Sequence, residues 1–332
     1  MRIGLIGCGR IGAFHARTLA DLMVVDELVV TDAYADLATH VATEIGGTAV
    51  ADPGALLAAG VDGVVIASST STHPDMLRAC VEAGLPTFCE KPVAPTAKEA
   101  LSIRDELAGS DVPVQIGFPR RFDRGYVAAR DALQSGRLGY LHTIRSTTLD
   151  MTPPPEAYIA GSGGIFHDCA VHDYDSVRWA TGQEVVEVFA TGAARGVDYI
   201  SAAGDVETGA SVLTLSDGTI ALVSSTRVNG GGYDVRLELM GSEGAIAAGL
   251  DERLPMRSAD TDLAFPGDAP WESFMDRLAD AFRAELAAFT DVVAGTIPSP
   301  CTVADAVEAS LIAEACTISW RADRPVRLEE VR

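Results

Sequence analysis

Only two of the 332 residues are lysines, Lys91 and Lys98, and the first stands in the triplet Glu90-Lys91-Pro92 directly after the short apolar run Thr87-Phe88-Cys89. An ammonium at the end of a strand can hydrogen-bond an alcohol, or the carbonyl it becomes, and so stabilise negative charge developing on oxygen. A surface lysine in a turn is the competing interpretation, and Pro92 allows a cis bond that sequence does not decide. A second constellation runs from Gly163-Gly164 through Ile165-Phe166-His167-Asp168 to His172 and Asp173. With a helix beginning at Asp168, Asp168 and His172 lie one turn apart on a common face. A carboxylate beside an imidazole orients the ring and tunes it towards neutrality, as a general base for an alcohol proton requires. Other interpretations stay open. Asp168 can be a helix cap with His172 a satisfied core histidine, and His172 can simply clamp a sugar. His167, His172 and nearby carboxylates can bind a metal, although they form no compact triad with ligand spacing.

Such groups need a scaffold, and the first third of the chain reads as one. Arg2 to Ile6 is a short apolar run, Gly7-Cys8-Gly9-Arg10-Ile11-Gly12 supplies G-x-G-x-x-G, and Ala13 to Leu22 carries helix formers. In such a strand, turn and helix, the glycines serve the tight turn, the approach to a pyrophosphate and close helix packing. A second strand, Glu27 to Thr31, ends at Asp32, about 20 residues downstream, where an acid would accept ribose hydroxyls. Asp32 is followed by Ala33 and Tyr34, with no arginine to meet a 2′-phosphate, which favours NAD over NADP. A bare glycine turn with a solvated Asp32 is the bland alternative. Further strands are expected at Gly63 to Ala67, Thr87 to Cys89 and Pro113 to Gly117. The hydroxyl-rich Ser68 to His73 stretch opens a helix that continues through Cys80, and its hydroxyls can cap that helix or face a dinucleotide. The alternation implies an open parallel sheet, with ligands at the strand C-termini. The expected cofactor contacts are Gly7, Gly9, Arg10, Ile11, Gly12, Asp32, Ser69, Thr70, His73, Glu90 and Lys91.

After about Arg121 the pattern changes. One helix (Tyr126 to Ser135) leads into strand-like segments at Leu141 to Thr148, Val185 to Gly192, Glu207 to Leu215, Thr219 to Arg227 and Asp234 to Met240. Helices are expected at Val171 to Ala180, Trp271 to Ala294 and Val303 to Ser319. The chain is therefore expected to join a Rossmann parallel sheet, residues 1–120, to an α+β domain with a large, mostly antiparallel open sheet, residues 121–332.

Composition narrows the partners. With 47 acidic residues against 25 basic ones, the formal charge of −22 argues against nucleic acid and anionic membranes, whose binding depends on Lys and Arg. No apolar run approaches the roughly 20 residues that span a bilayer, so a soluble cytoplasmic protein is expected. Six cysteines without a C-x-x-C pair indicate neither a zinc knuckle nor a disulfide framework, and are expected to be reduced, mostly buried thiols. The acidic excess and the preference for arginine suit either a GC-rich genome or a salt-adapted protein.

Together, the G-x-G-x-x-G start, Asp32, Glu90-Lys91-Pro92, and Gly-Gly followed by Asp168-x-x-x-His172 resemble the NAD(P)-dependent sugar and inositol dehydrogenase family named after glucose–fructose oxidoreductase. The resemblance spans nearly the whole chain. Within the family it is most similar to the inositol 2-dehydrogenases, through Gly117-Phe118-Pro119-Arg120-Arg121-Phe122-Asp123, the Tyr158 to Phe166 stretch and Gly232-Tyr233-Asp234. The resemblance implies an NAD-dependent enzyme without a metal, oxidising a cyclic polyol or sugar. Its first candidate substrate is myo-inositol, and scyllo-inositol or an aldose comes next. His172 would take the alcohol proton, Lys91 polarise the oxygen, and Asp168 position His172 and bind a neighbouring hydroxyl. Arg120 and Tyr233 would line the substrate pocket. The family's second-domain sheet implies a homo-oligomer, a dimer or tetramer. Pro119 stands where Asn or Met is frequent, and Phe282 where a tyrosine is, so one hydroxyl contact is expected to be missing. A sugar or NAD sensor and an NAD-dependent glycosidase are the readings from other classes.

Overall fold

Six short strands, buried on both faces except at the exposed edge strand, build the first sheet. In the computed structural model, which describes residues 1–260 and 265–332, these are β1 (Arg2–Ile6), β2 (Glu27–Thr31), β3 (Thr48–Ala49), β4 (Gly63–Ile66), β5 (Thr87–Glu90) and β6 (Val114–Gly117). All pair in parallel, in the order β3-β2-β1-β4-β5-β6. A parallel sheet is covered by helices on both sides, hence runs such as Gly63–Ile66 with every residue buried. Strand order reverses beside β1, so the crevice for a ligand opens at the C-terminal ends of β1 and β4. The core gathers Ile3, Leu5, Leu19, Val30, Val65 and Phe88 with Leu286, Phe289 and Val292 from a late helix. The chain divides into two compact units, residues 1–119 with 282–307 and residues 120–281 with 308–332.

The second unit contains a seven-stranded sheet: β7 (Leu141–Leu149), β8 (Val185–Ala193), β9 (Thr208–Leu215), β10 (Ile220–Thr226), β11 (Asp234–Gly241), β12 (Ala245–Ala248) and β13 (Val326–Arg327). Its order is β12-β11-β7-β10-β9-β8-β13, and every pairing is antiparallel except β10 with β7. Alternation of buried and exposed residues along β9 and β10 marks one covered face and one open face. No helix among the described residues is long and apolar enough to cross a membrane. All six cysteines are buried and unpaired with one another.

The structure moves three expected boundaries. The first helix spans Arg10–Ala20 and starts inside the glycine motif, because Gly9 is its N-cap and the Ala13 amide bonds the Gly9 carbonyl at 2.8 Å. The expected helix from Trp271 to Ala294 is broken. Trp271 pairs with Tyr233, Ser273 caps a turn at Phe274–Arg277, and Leu278 leaves helical geometry before Ala279–Val293. Asp168, expected to open the helix of His172, instead closes a separate turn, Ile165–Asp168, and the longer helix begins at Val171.

Candidate active site

The glycines of the first unit shape a cradle. A Cβ on Gly12 would collide with the Gly7 carbonyl oxygen, and one on Gly7, at φ 99°, would lie 2.5 Å from the Ser68 amide nitrogen. Both positions are therefore closed to larger residues, whereas an added Cβ on Gly9 meets nothing within 4 Å. Behind Gly9 the helix Arg10–Ala20 has no side-chain cap and no acid in its first turn. Its amide N–H groups and the positive end of its dipole are thus suited to an anion such as a pyrophosphate. Asp32 lies beside this turn, its Oδ2 accepting from the Cys8 amide at 2.7 Å and its Oδ1 from the Tyr34 amide at 2.8 Å. Burial, and then Asp32, push the Cys8 thiol up to about 12, so the cysteine inside the motif is no nucleophile. Parallel sheet, cradle and acid together define a dinucleotide-binding unit.

Other expected cofactor residues differ in placement. Arg10 and Ser69 are exposed, and Ile11 and Thr70 half-buried, at the strand ends. His73 is buried instead, with Nδ1 at 2.7 Å from the Pro92 carbonyl and Nε2 at 3.1 Å from the Ser68 carbonyl. Its ring braces two loops, and one of them carries Lys91. Lys91 is half-buried and its peptide bond to Pro92 is cis. Glu90 meets the wholly buried His15, Oε1 to Nε2 at 2.7 Å, among the rings of Phe14, Phe88 and Phe282. Phe282 stacks edge-on against Phe14 at 5.3 Å, as part of the first unit's interior.

In the second unit Asp168 is gripped from two sides: the Tyr158 hydroxyl donates to Oδ1 at 2.8 Å, and Nη2 of Arg227 to Oδ2 at 3.1 Å. Arg227 is fully buried, and its Nη1 donates to Asp205 at 2.6 Å. Desolvation opposes the charge on Arg227, but Cys169, Asp168 and Asp205 outweigh it and raise its proton affinity. The half-buried His172 lies in the first turn of the next helix, where the Ser176 hydroxyl bonds its backbone carbonyl at 2.7 Å. Arg120 is 2% exposed, and its guanidinium is engaged with Asp173 at 2.8 Å and Thr148 at 2.6 Å. Asp173 is His172's neighbour in sequence, so Arg120 anchors that helix. Tyr233 is 3% exposed, and desolvation raises its phenol strongly despite Arg120 nearby. No group of three or more His, Cys, Asp or Glu residues able to hold a metal occurs among the described residues.

Asp150, Asp205 and Arg227 belong to no motif that sequence spacing reveals. The available sign was Arg227 itself, a charged residue at the end of an apolar alternation. Burial, and then Asp168, raise the Asp150 carboxyl above its ordinary 3.8. As pH rises the unfolded carboxyl ionises first and the folded one later, so the folded state holds the extra proton across that window and stability falls. Asp150→Asn is therefore expected to melt above the parent at neutral pH, with the gap closing below pH 3.8, as calorimetry across pH would show.

Comparison with known proteins identifies the family. Residues 1–118 match an oxidoreductase family with an NAD-binding Rossmann fold, and residues 126–247 match the GFO/IDH/MocA C-terminal domain. The chain is 38% identical over 307 residues, 90% of each protein, to myo-inositol dehydrogenase Hyg17 of Streptomyces leeuwenhoekii. It is 36% identical to myo-inositol 2-dehydrogenase of Thermotoga maritima, covering 100% of this chain and 99% of that one. With a TM-score of 0.89, 27% identity and 99% coverage of both chains, it also resembles the Lactobacillus casei scyllo-inositol dehydrogenase solved with bound NAD(H) and scyllo-inositol. The chain belongs to the GFO/IDH/MocA family of NAD-binding oxidoreductases.

Proposed function

We propose that the protein oxidises a ring hydroxyl of myo-inositol to the 2-keto product, scyllo-inosose, with NAD⁺ as acceptor. The observation that carries this reading is the carboxylate of Asp168, held by Tyr158 and the buried Arg227 four residues before His172, in a chain whose relatives are named for inositol oxidation. His172 takes the proton of the secondary alcohol through its imidazole. Lys91 donates a hydrogen bond to the same oxygen and stabilises it as it becomes a carbonyl. Asp168 orients His172 and accepts from a neighbouring hydroxyl, and Tyr233 borders the polyol. Bound NAD⁺ supplies the hydride acceptor, C4 of its nicotinamide. The cofactor's contacts fall to Gly7, Gly9, Arg10, Ile11, Gly12, Asp32, Ser69, Thr70, Glu90 and Lys91, with His73 acting behind them. Cofactor binding is assigned to residues 1–120, and substrate binding and assembly to residues 121–332.

The likeness to a scyllo-inositol enzyme favours that isomer as the second substrate reading. Following the NADH absorbance band with NAD⁺ and, separately, myo-inositol, scyllo-inositol and several aldoses tests the choice. The highest kcat/KM is expected with myo-inositol. A higher value with another polyol would keep the chemistry and replace the substrate, and silence with all of them would contradict the proposal.

A homo-oligomer is part of the same reading. Phe189, Val212 and Leu222 are register partners across β8, β9 and β10, and they and Ile220 are 39–45% exposed on the open sheet face. Such an apolar row on a sheet suits burial against a second copy. Val212→Glu with Leu222→Glu is expected to lower the mass measured by light scattering to that of one chain, 34.7 kDa. An unchanged multiple of that mass would place the contact elsewhere.

A further inference from the structure

We propose that Arg227 and Asp205 form a positioning clamp that fixes the carboxylate of Asp168 for the reaction. The inference rests on the role assigned to Asp168 above. The turn bearing Asp168, Ile165–Asp168, has four residues, and its preceding glycines Gly163 and Gly164 sit at φ 78° and 91°. Such a short turn, entered through glycines, does not fix the direction of its last side chain by itself. The clamp reaches both of its ends. At the start, Oδ1 of Asp205 accepts from the Ile165 amide at 3.1 Å. At the finish, Arg227 binds Oδ2 of Asp168 at 3.1 Å while its other terminal nitrogen holds Oδ2 of Asp205 at 2.6 Å.

One guanidinium thus spans from the residue that tethers the turn to the residue that the turn presents. Arg227 is 0% exposed, whereas the Asp168 side chain retains 14% exposure. The arginine therefore acts through Asp168, and the carboxylate is what remains accessible. A planar fork suits this task because its two terminal nitrogens can serve two carboxylates at once, which a lysine ammonium on a flexible stem does poorly. A second grip on Asp168 comes from the Tyr158 hydroxyl, ten residues earlier in the chain.

The test is a double-mutant cycle in the full-length protein with NAD⁺ and the best polyol substrate, reading kcat together with the dissociation constant for NADH. Arg227→Met is expected to lower kcat by about 100-fold, the scale of a misplaced catalytic group, with NADH binding within about twofold of the parent. Arg227→Lys is expected to recover part of that loss. In the Asp168→Asn background, Arg227→Met should change kcat little further, since its effect is transmitted through the missing carboxylate. Costs that multiply in the double variant, or an Arg227→Met enzyme with parental kcat, would overturn the clamp. Parental kcat in Asp168→Asn alone would overturn the role of Asp168 and the clamp with it. Should Arg227→Met not fold, Asp205→Asn, which loosens the same clamp from its far side, is carried through the same cycle with the same two outcomes.

Discussion

Replacing His172 by alanine is expected to lower kcat for polyol oxidation by about 10³-fold, within the range lost when a positioned general base is removed. The dissociation constant for NADH should stay within about twofold of the parent, because the glycine cradle and Asp32 belong to the first unit and His172 to the second. The fold is expected to survive the change. The Ser176 hydroxyl bonds the backbone carbonyl of His172, a contact that alanine retains. The residual rate should climb with pH, since an alcohol without a base must lose its proton to hydroxide. A kcat unchanged by the substitution would return His172 to the role of a half-buried helix residue.

The second large effect is expected at Lys91. Lys91→Met keeps an unbranched apolar stem one heavy atom shorter and removes the charge, and should reduce kcat/KM by about 10²-fold to 10³-fold, the cost of deleting one donor to a developing oxyanion. Lys91→Arg should recover only part of the loss, because a planar guanidinium does not reproduce a compact ammonium. His73 and the His15–Glu90 pair hold the chain on either side of this lysine. Parental kinetics in Lys91→Met would leave the lysine as an ordinary turn residue, and melting temperature measured alongside would separate that result from a folding defect.

Much of the first unit is legible in the sequence because its signals are local. An apolar run ended by a glycine turn fixes β1 to Arg2–Ile6, and Glu27–Thr31 ended by an acid fixes β2. β3 and β13 carry no such signal: each is two residues long, and both residues of β3 are exposed. The apolar period of Ala279–Val293 announces a helix but not the unit its face packs on. Leu286, Phe289 and Val292 join the core around β1, and any apolar surface would satisfy the same period.

The candidate site divides in the same way. Gly7, Gly12, Asp32, Lys91, Asp168 and His172 are candidates already in the sequence, because residue type and spacing along the chain suggest their chemistry. The turn break at Cys169 was not visible, since no proline or glycine marks it and the i, i+4 spacing of Asp168 and His172 reads as one helix. Arg120 carries a charge suited to a substrate, and its ion-pair partner Asp173, 53 residues later, is one that no local spacing announces. Arg227 and Asp205 are separated from Asp168 by 59 and 37 positions, and only folding shows that one guanidinium serves both acids. Long-range pairing of this kind leaves no local period to detect.

The most direct test of the central claim follows the hydrogen itself. With NAD⁺ and myo-inositol deuterated at ring carbon 2, mass spectrometry of the nucleotide product is expected to show one deuterium in each NADH formed, together with one equivalent of the 2-keto product. NADH lacking deuterium, or turnover of the polyol with no net NADH, would contradict hydride transfer from that carbon.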